Sequence, residues 1–221
     1  MGWKLVVFDM DGVIFEGGNR WMELHKAYGT LEEGKALTKR YLTTDYDRLV
    51  EEVVVRLWKG RDARPFLNII AGVKYNPGVK ETIEALKQLG LHLAIISSGP
   101  KRLVQRAMEE LGIEQGHGND LVIEDGKVAG RAHYDDGTTC WPIGNANKEP
   151  YVRKICEHFS CSLSDTVFIG DDLPDLGAFE VVGLPIAFND APEELIAVAK
   201  TRGGVHVKGK DLRGVLEHIT S

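Results

Sequence analysis

The first apolar run, LVVFDM at 5–10, is rich in valine and closes on Asp11-Gly12. Its length and composition are those of a strand buried on both faces, as in a parallel sheet. Beyond it the periodicity turns helical. Trp21, Leu24, His25 and Tyr28 recur at helical spacing, and Thr30 with Glu33 predicts a capping box that opens a second helix to about Leu42. Tyr46, Leu49, Val50, Val53, Val54, Leu57 and Trp58 follow an i, i+3, i+4, i+7 rhythm behind Thr44 as the expected N-cap. Phe66, Ile69, Ile70 and Val73 mark a fourth helix.

After residue 75 strands and helices alternate. Asn76-Pro77 starts a helix that Gly90 stops, and LHLAIISSG (91–99) is an apolar strand before a helix opened by Pro100. DLVIEDGKVAG (120–130) predicts a hairpin by its alternation and its Asp-Gly turn. A helix runs from Lys148 to about His158. TVFIGDD (166–172) is a second buried strand ending in acids, with Pro174 starting a helix, and LPIAFND (184–190) and GVHV (204–207) are further strands. The expected fold class is α/β: a Rossmann-like doubly wound parallel sheet with helices on both faces. Its core takes residues 1–17 and 76–221, and residues 18–75 form an inserted helical bundle.

Composition narrows the function classes. The chain has 221 residues, is 43% hydrophobic and carries a formal net charge of -6, which argues against a nucleic-acid partner. Three cysteines, Cys140, Cys156 and Cys161, show no CxxC spacing and are expected as free thiols. No apolar run reaches the length of a membrane span and no signal-like segment precedes the first strand, so a soluble, cytoplasmic protein is expected.

In such sheets the ligand site lies beyond the carboxyl ends of the strands. Those ends carry Asp9 and Asp11, then Ser97-Ser98-Gly99, then Gly170-Asp171-Asp172 with Asp175. Asp9 and Asp11 would share one face of a regular strand. If the strand breaks at Asp11, one carboxylate can reach substrate while the other stands beside it. A carboxylate is repelled by a phosphate dianion unless a hard cation bridges the two, and Mg²⁺ prefers carboxylates, phosphate oxygens and water. Asp171 is the natural second ligand. Free N–H groups of the helix after Ser97-Ser98-Gly99, with the Ser97 hydroxyl, suit phosphate oxygens, and a lysine would balance the remaining charge.

FDMDG (8–12), IISSG (95–99), Lys148 and GDDLPD (170–175), in that order, resemble the four motifs of the haloacid dehalogenase superfamily, and the 120–133 hairpin and helical insert are similar to those of phosphoserine phosphatases. The resemblance implies a phosphoric monoester hydrolase. Asp9 is the nucleophile and forms an aspartyl-phosphate, and Asp11 is general acid and base. By the same resemblance Mg²⁺ is held by Asp9, the Asp11 carbonyl and Asp171, with Asp175 and Asp172 supporting the metal and Lys148. Ser97, Ser98, Gly99 and Lys148 bind the phosphoryl group of a small phosphorylated metabolite. A phosphomutase or phosphotransferase on the same scaffold is the alternative. A receiver-like signalling module fits less well, because its acceptor acid follows a middle strand and no helical bundle interrupts it.

The insert departs from the resemblance. Phosphoserine phosphatases hold the substrate amino group with a glutamate shortly after the first motif, and Gly18 falls near that position here, with Glu16 two residues away. Glu16, Trp21, Arg56 and Trp58, with Arg20, Lys59 and Arg61, are the candidates for shaping the leaving-group pocket. Gly17-Gly18 is the expected hinge.

Overall fold

The structure is a computed structural model that describes residues 2–42, 44–131 and 147–220. It begins with β1 (Leu5–Phe8), followed by α1 (Arg20–Ala27), α2 (Leu31–Tyr41), α3 (Tyr46–Val50) with a π-helical continuation at Glu51–Trp58, and α4 (Arg64–Gly72). The α/β part then runs α5 (Val79–Gln88), β2 (His92–Pro100), α6 (Lys101–Leu111), β3 (Gln115–Asn119), β4 (Leu121–Glu124) and β5 (Lys127–Arg131). It continues with α7 (Glu149–His158), β6 (Thr166–Gly170), α8 (Leu176–Phe179), β7 (Leu184–Phe188), α9 (Glu193–Thr201), β8 (Val205–Val207) and α10 (Leu216–Ile219).

Six strands form one parallel sheet in the order β3-β2-β1-β6-β7-β8. The chain leaves β1 toward β2 and β3, then returns to the other side of β1 for β6, β7 and β8. The order therefore reverses at β1, which places a crevice at the carboxyl ends of β1, β2 and β6. Side-chain alternation splits the core. Val6 and Phe8 pack with α5 and α6 residues such as Ile83 and Val104, while Leu5 and Val7 pack with Val152, Phe179 and Leu195 on the opposite face. That is the doubly wound architecture expected from the apolar runs.

Several local expectations change. β3 was not legible as a strand, because QGHGN has neither alternation nor β-branched residues. It joins the sheet because glycine lets it lie against α6: a Cβ at Gly118 would come within 2.9 Å of the Lys101 Cα. The expected capping box at Thr30 does not form. The Thr30 hydroxyl pairs with His25 Nδ1 at 2.8 Å and caps nothing. Asp45, not Thr44, caps α3, through a bond from Arg48 N at 2.9 Å. Burial at Leu49, Val53, Val54 and Trp58 falls at spacings of four and five, which suits the wider turn of i→i+5 bonding better than an α-helical rhythm. Pro174 lies in a 3₁₀ turn, Leu173–Asp175, that leads into α8.

The β4–β5 hairpin forms as expected, with Asp125 and Gly126 both at positive φ in its two-residue turn. It docks on the chain that follows the π-helical segment: Gly60 N donates to Val128 O at 2.7 Å, and Ala63 N to Gly126 O at 2.8 Å. Cys156 and Cys161 are free thiols, and Cys140 lies outside the described residues. Among the described residues no helix is long and apolar enough to cross a membrane.

Candidate active site

Asp9 follows directly on β1, where the last ladder partner, Phe8, ends the regular strand, and its N–H still donates to Ile169 O at 2.8 Å. The chain then turns through Gly12, at φ +89°, and the two carboxylates take different partners, Asp9 meeting Lys148 and Asp11 meeting Arg20. The Asp9 Oδ1 accepts from Met10 N and meets Lys148 Nζ, both at 2.6 Å. Lys148, fully buried at the start of α7, also reaches Asp175 Oδ1 at 2.6 Å. The other Asp175 oxygen accepts from Asp171 N at 3.0 Å and Asp172 N at 3.2 Å. One lysine thus joins the end of β1 to the loop after β6, and Asp175 aims both.

Burial lowers the proton affinity of an isolated lysine, but at Lys148 the flanking Asp175 and Asp9 outweigh it and hold the ammonium charged well above the ordinary lysine value. Burial raises Asp9 as well, against the pull of Lys148. Asp171 is pushed up to about 9 by burial and by the neighbouring carboxylates Asp9 and Asp175, and burial takes Asp175 to about 7 against the pull of Lys148. One lysine does not balance these acids.

Asp9, Asp171 and Asp175 can each offer an oxygen such that all three lie within 4.8 Å of one another. The Asp171 Oδ1 is buried with no hydrogen-bond partner among the described residues. A buried, unpaired carboxylate oxygen costs several kcal/mol unless a cation meets it. Hard oxygen donors without sulfur or imidazole are the set that suits a divalent ion such as Mg²⁺. These residues fit the metal. Asp172 lies outside that trio: its carboxylate accepts from Leu173 N at 2.8 Å and caps the 3₁₀ turn, on the same cavity wall.

Asp11 is held from the insert. Arg20, buried at the start of α1, donates from Nε to Asp11 Oδ1 at 3.1 Å, from Nη1 to Glu23 at 2.7 Å, and from Nη2 to Glu16 O. Burial takes the Asp11 carboxyl up to about 6, with Arg20 opposing it. That value lets Asp11 give and take a proton near neutrality. Ser97 is buried and accepts from Gly99 N at 2.8 Å; the Ser98 carbonyl accepts from Trp21 Nε1 at 3.0 Å and from Asn119 Nδ2 at 2.7 Å. The loop is pinned from both sides before the first turn of α6, whose N-terminus has no side-chain cap.

Above these residues lies a cavity of about 650 Å³, a size suited to a small molecule. Asp9, Asp11, Ser97, Ser98, Gly99, Lys148, Asp171 and Asp172 line its floor, and Trp21, Leu49, Val53 and Trp58 form part of its roof. Four of the seven sequence-chosen pocket residues do not line it. Glu16 is exposed beside a smaller cavity, and Arg56 is exposed on the far side of its helix, bonded to Glu52 and Glu33 at 2.6 Å each. Lys59 and Arg61 are also outside it; Arg61 donates to the carbonyls of Leu57 and Tyr28.

Two positions carry more than the sequence suggested. Asn76, expected only to start a helix, donates from Nδ2 to the carbonyls of Gly12, Val13 and Phe15 at 2.8, 2.9 and 3.2 Å and so fastens the loop after Asp11. A Cβ at Gly12 would overlap the Asp171 carboxylate. An Asn-Pro pair before a helix was the visible signal for Asn76; nothing local announced its distant partners.

The family model of the haloacid dehalogenase-like hydrolases matches residues 3–183. The chain is 34% identical over 198 residues to a phosphoserine phosphatase of Archaeoglobus fulgidus, covering 89% of this chain but 55% of that protein, so it spans about half the length of that relative. With the phosphoserine phosphatase of Methanocaldococcus jannaschii it shares 27% identity over 98% of this chain and 97% of the other. A solved phospho-aspartyl intermediate analogue of phosphoserine phosphatase superposes with a TM-score of 0.79 at 27% identity, covering 99% of this chain and all of that one. Motif order, sheet topology and these matches converge: the chain belongs to the haloacid dehalogenase-like hydrolases.

Proposed function

We propose that the protein is a Mg²⁺-dependent phosphatase that hydrolyses a small phosphate monoester through a phosphorylated Asp9. The observation that carries this reading is the unpartnered, buried Asp171 oxygen beside Asp9 and the charged Lys148, on the same floor as Ser97, Ser98 and Gly99. Asp9, Asp171 and the Asp11 carbonyl would hold the cation, which when bound neutralises the acids and draws the phosphoryl oxygens toward them.

The Asp9 carboxylate attacks phosphorus; the new bond is carboxylate oxygen to phosphorus, and the bond to the leaving oxygen breaks. Asp11 gives its proton to that oxygen. Lys148, Ser97 and the N–H groups of the phosphate loop take the charge on the equatorial oxygens. Water then attacks the aspartyl-phosphate while Asp11 takes its proton, releasing inorganic phosphate and restoring Asp9. Arg20 is a positioning residue, orienting the Asp11 carboxyl through Nε. Residues 18–75 act as a cap over the core of 1–17 and 76–221, with Gly17-Gly18 as one hinge strand, and closure excludes water from the intermediate.

The test is hydrolysis of 4-nitrophenyl phosphate. Asp9→Asn is expected to lose about 10⁴-fold in kcat/KM and Asp11→Asn about 10²- to 10³-fold. EDTA should abolish the wild-type rate and Mg²⁺ restore it. Turnover in EDTA, or in Asp9→Asn, would overturn the mechanism.

A further inference from the structure

Resting on the phosphatase reading, we infer that the site selects esters whose leaving group is an uncharged, ring-sized apolar alcohol, and that it discriminates against phosphoserine. Among the described residues the cavity lining holds two cations, Arg20 and Lys148. Lys148 is spent between Asp9 and Asp175. All three nitrogens of Arg20 are engaged, by Asp11, Glu23 and the Glu16 carbonyl. A substrate carboxylate would compete for cations whose charge Asp11, Glu23, Asp9 and Asp175 already meet. Among the described residues the acids in the lining outside the phosphate and metal groups are Asp172, which caps the turn at Leu173 N, and Asp120, which faces Arg102 at 3.9 Å and accepts from Leu121 N at 2.9 Å. A substrate ammonium would compete with that arginine; Gly18 itself carries no carboxylate, and the Glu23 carboxylate beside it is paired with Arg20 and lines the smaller cavity.

What the roof does offer is apolar surface. Trp21 is tied by its indole N–H to the Ser98 carbonyl, so its ring stands at the edge of the phosphate loop, where a leaving group must pass. Behind it Phe66 stacks at 6.0 Å and 7°, and Trp58 lies at 6.1 Å. Leu49, Val50 and Val53 complete that side of the cavity. A ring buried there removes apolar area from water on both surfaces. The ammonium and carboxylate of phosphoserine would enter the same space without counter-charges, and unpaired buried charge is penalised more steeply than a missing contact.

Leaving-group chemistry must be held constant, so the comparison uses primary alkyl esters: 2-phenylethyl phosphate, propyl phosphate, phosphoethanolamine and phosphoserine, each with Mg²⁺. The expected order of kcat/KM is 2-phenylethyl first, then propyl, with phosphoserine lower than 2-phenylethyl by about 100-fold. Val50→Glu, at a half-buried lining position, should raise KM for the phenylethyl ester at least tenfold and narrow its lead over phosphoethanolamine. Binding of the non-hydrolysable 2-phenylethylphosphonate and 2-amino-3-phosphonopropionate, measured by calorimetry, gives the same comparison without turnover. Phosphoserine equal to or better than the phenylethyl ester, or the amino phosphonate binding as tightly as the phenylethyl one, overturns the inference and leaves the phosphatase reading standing. Preferential phenylethylphosphonate binding with no turnover of any ester supports the pocket assignment and overturns the phosphatase reading instead.

Discussion

At the scale of single residues the site depends on close approaches that only glycine allows. Gly12 sits at φ +89°, where an L side chain is strained, and its missing Cβ is the space the Asp171 carboxylate fills. Gly12→Ala therefore costs about 1 kcal/mol in backbone strain and also displaces the proposed metal ligand. The expected result is a fall in kcat/KM of at least tenfold together with weaker Mg²⁺ binding, read by metal titration of activity. An alanine variant with wild-type Mg²⁺ affinity would show that Asp171 does not need this approach. The sequence placed Gly12 behind Asp11 and predicted a turn, and that was correct as far as it went. The contact across 159 positions to Asp171 is made by the pairing of β1 with β6, which no local pattern encodes.

Among elements, the helices of residues 20–72 were the easiest to locate and the hardest to describe. Their number and order follow from apolar spacing. Their caps do not, since Thr30 turned inward to His25 and Asp45 took the place expected of Thr44. Serine-like caps and buried hydrogen bonds compete for the same hydroxyl, and packing decides which wins. Gly34, inside α2, tests that packing. An alanine in place of a mid-helix glycine ordinarily gains up to about 1 kcal/mol. Here a Cβ would overlap the imidazole of His25, which is 1% exposed and held by Thr30 and by Trp58 at 4.6 Å. Overpacking of this kind costs about 1–3 kcal/mol, so the sign reverses and Gly34→Ala should destabilise by about 1–2 kcal/mol. Gly72→Ala, at the end of α4 with nothing within 4 Å of its added carbon, is the control and should be neutral or mildly stabilising. Urea denaturation of both variants decides; equal midpoints would mean that the ring moves aside at no cost.

Over the whole molecule, four acids and one lysine meet at the mouth of one sheet, and the fold carries that repulsion for the sake of the site. A cation that binds only the folded form stabilises it by about 2.7 kcal/mol at a hundredfold excess over Kd. For a chain of 221 residues that is roughly 5–10 °C in Tm. Asp171→Asn should raise the Tm of the metal-free protein and shrink the Mg²⁺-induced shift, both visible by differential scanning calorimetry. A full-sized shift in that variant would move the metal away from Asp171. By itself the sequence determined the layered class and the strand ends that carry Asp9, Asp11, Ser97 and Asp171, because burial and turn chemistry are written locally, while the roles expected of those residues came from the resemblance of the motifs. Tertiary structure alone decided that Lys148 meets Asp9 as well as Asp175, that Arg20 holds Asp11, that Arg56 and Glu16 stand outside the cavity, and that tryptophan and valine roof it. Those outcomes depend on distances between segments far apart in the chain, which the strand order and the docking of the helices set together.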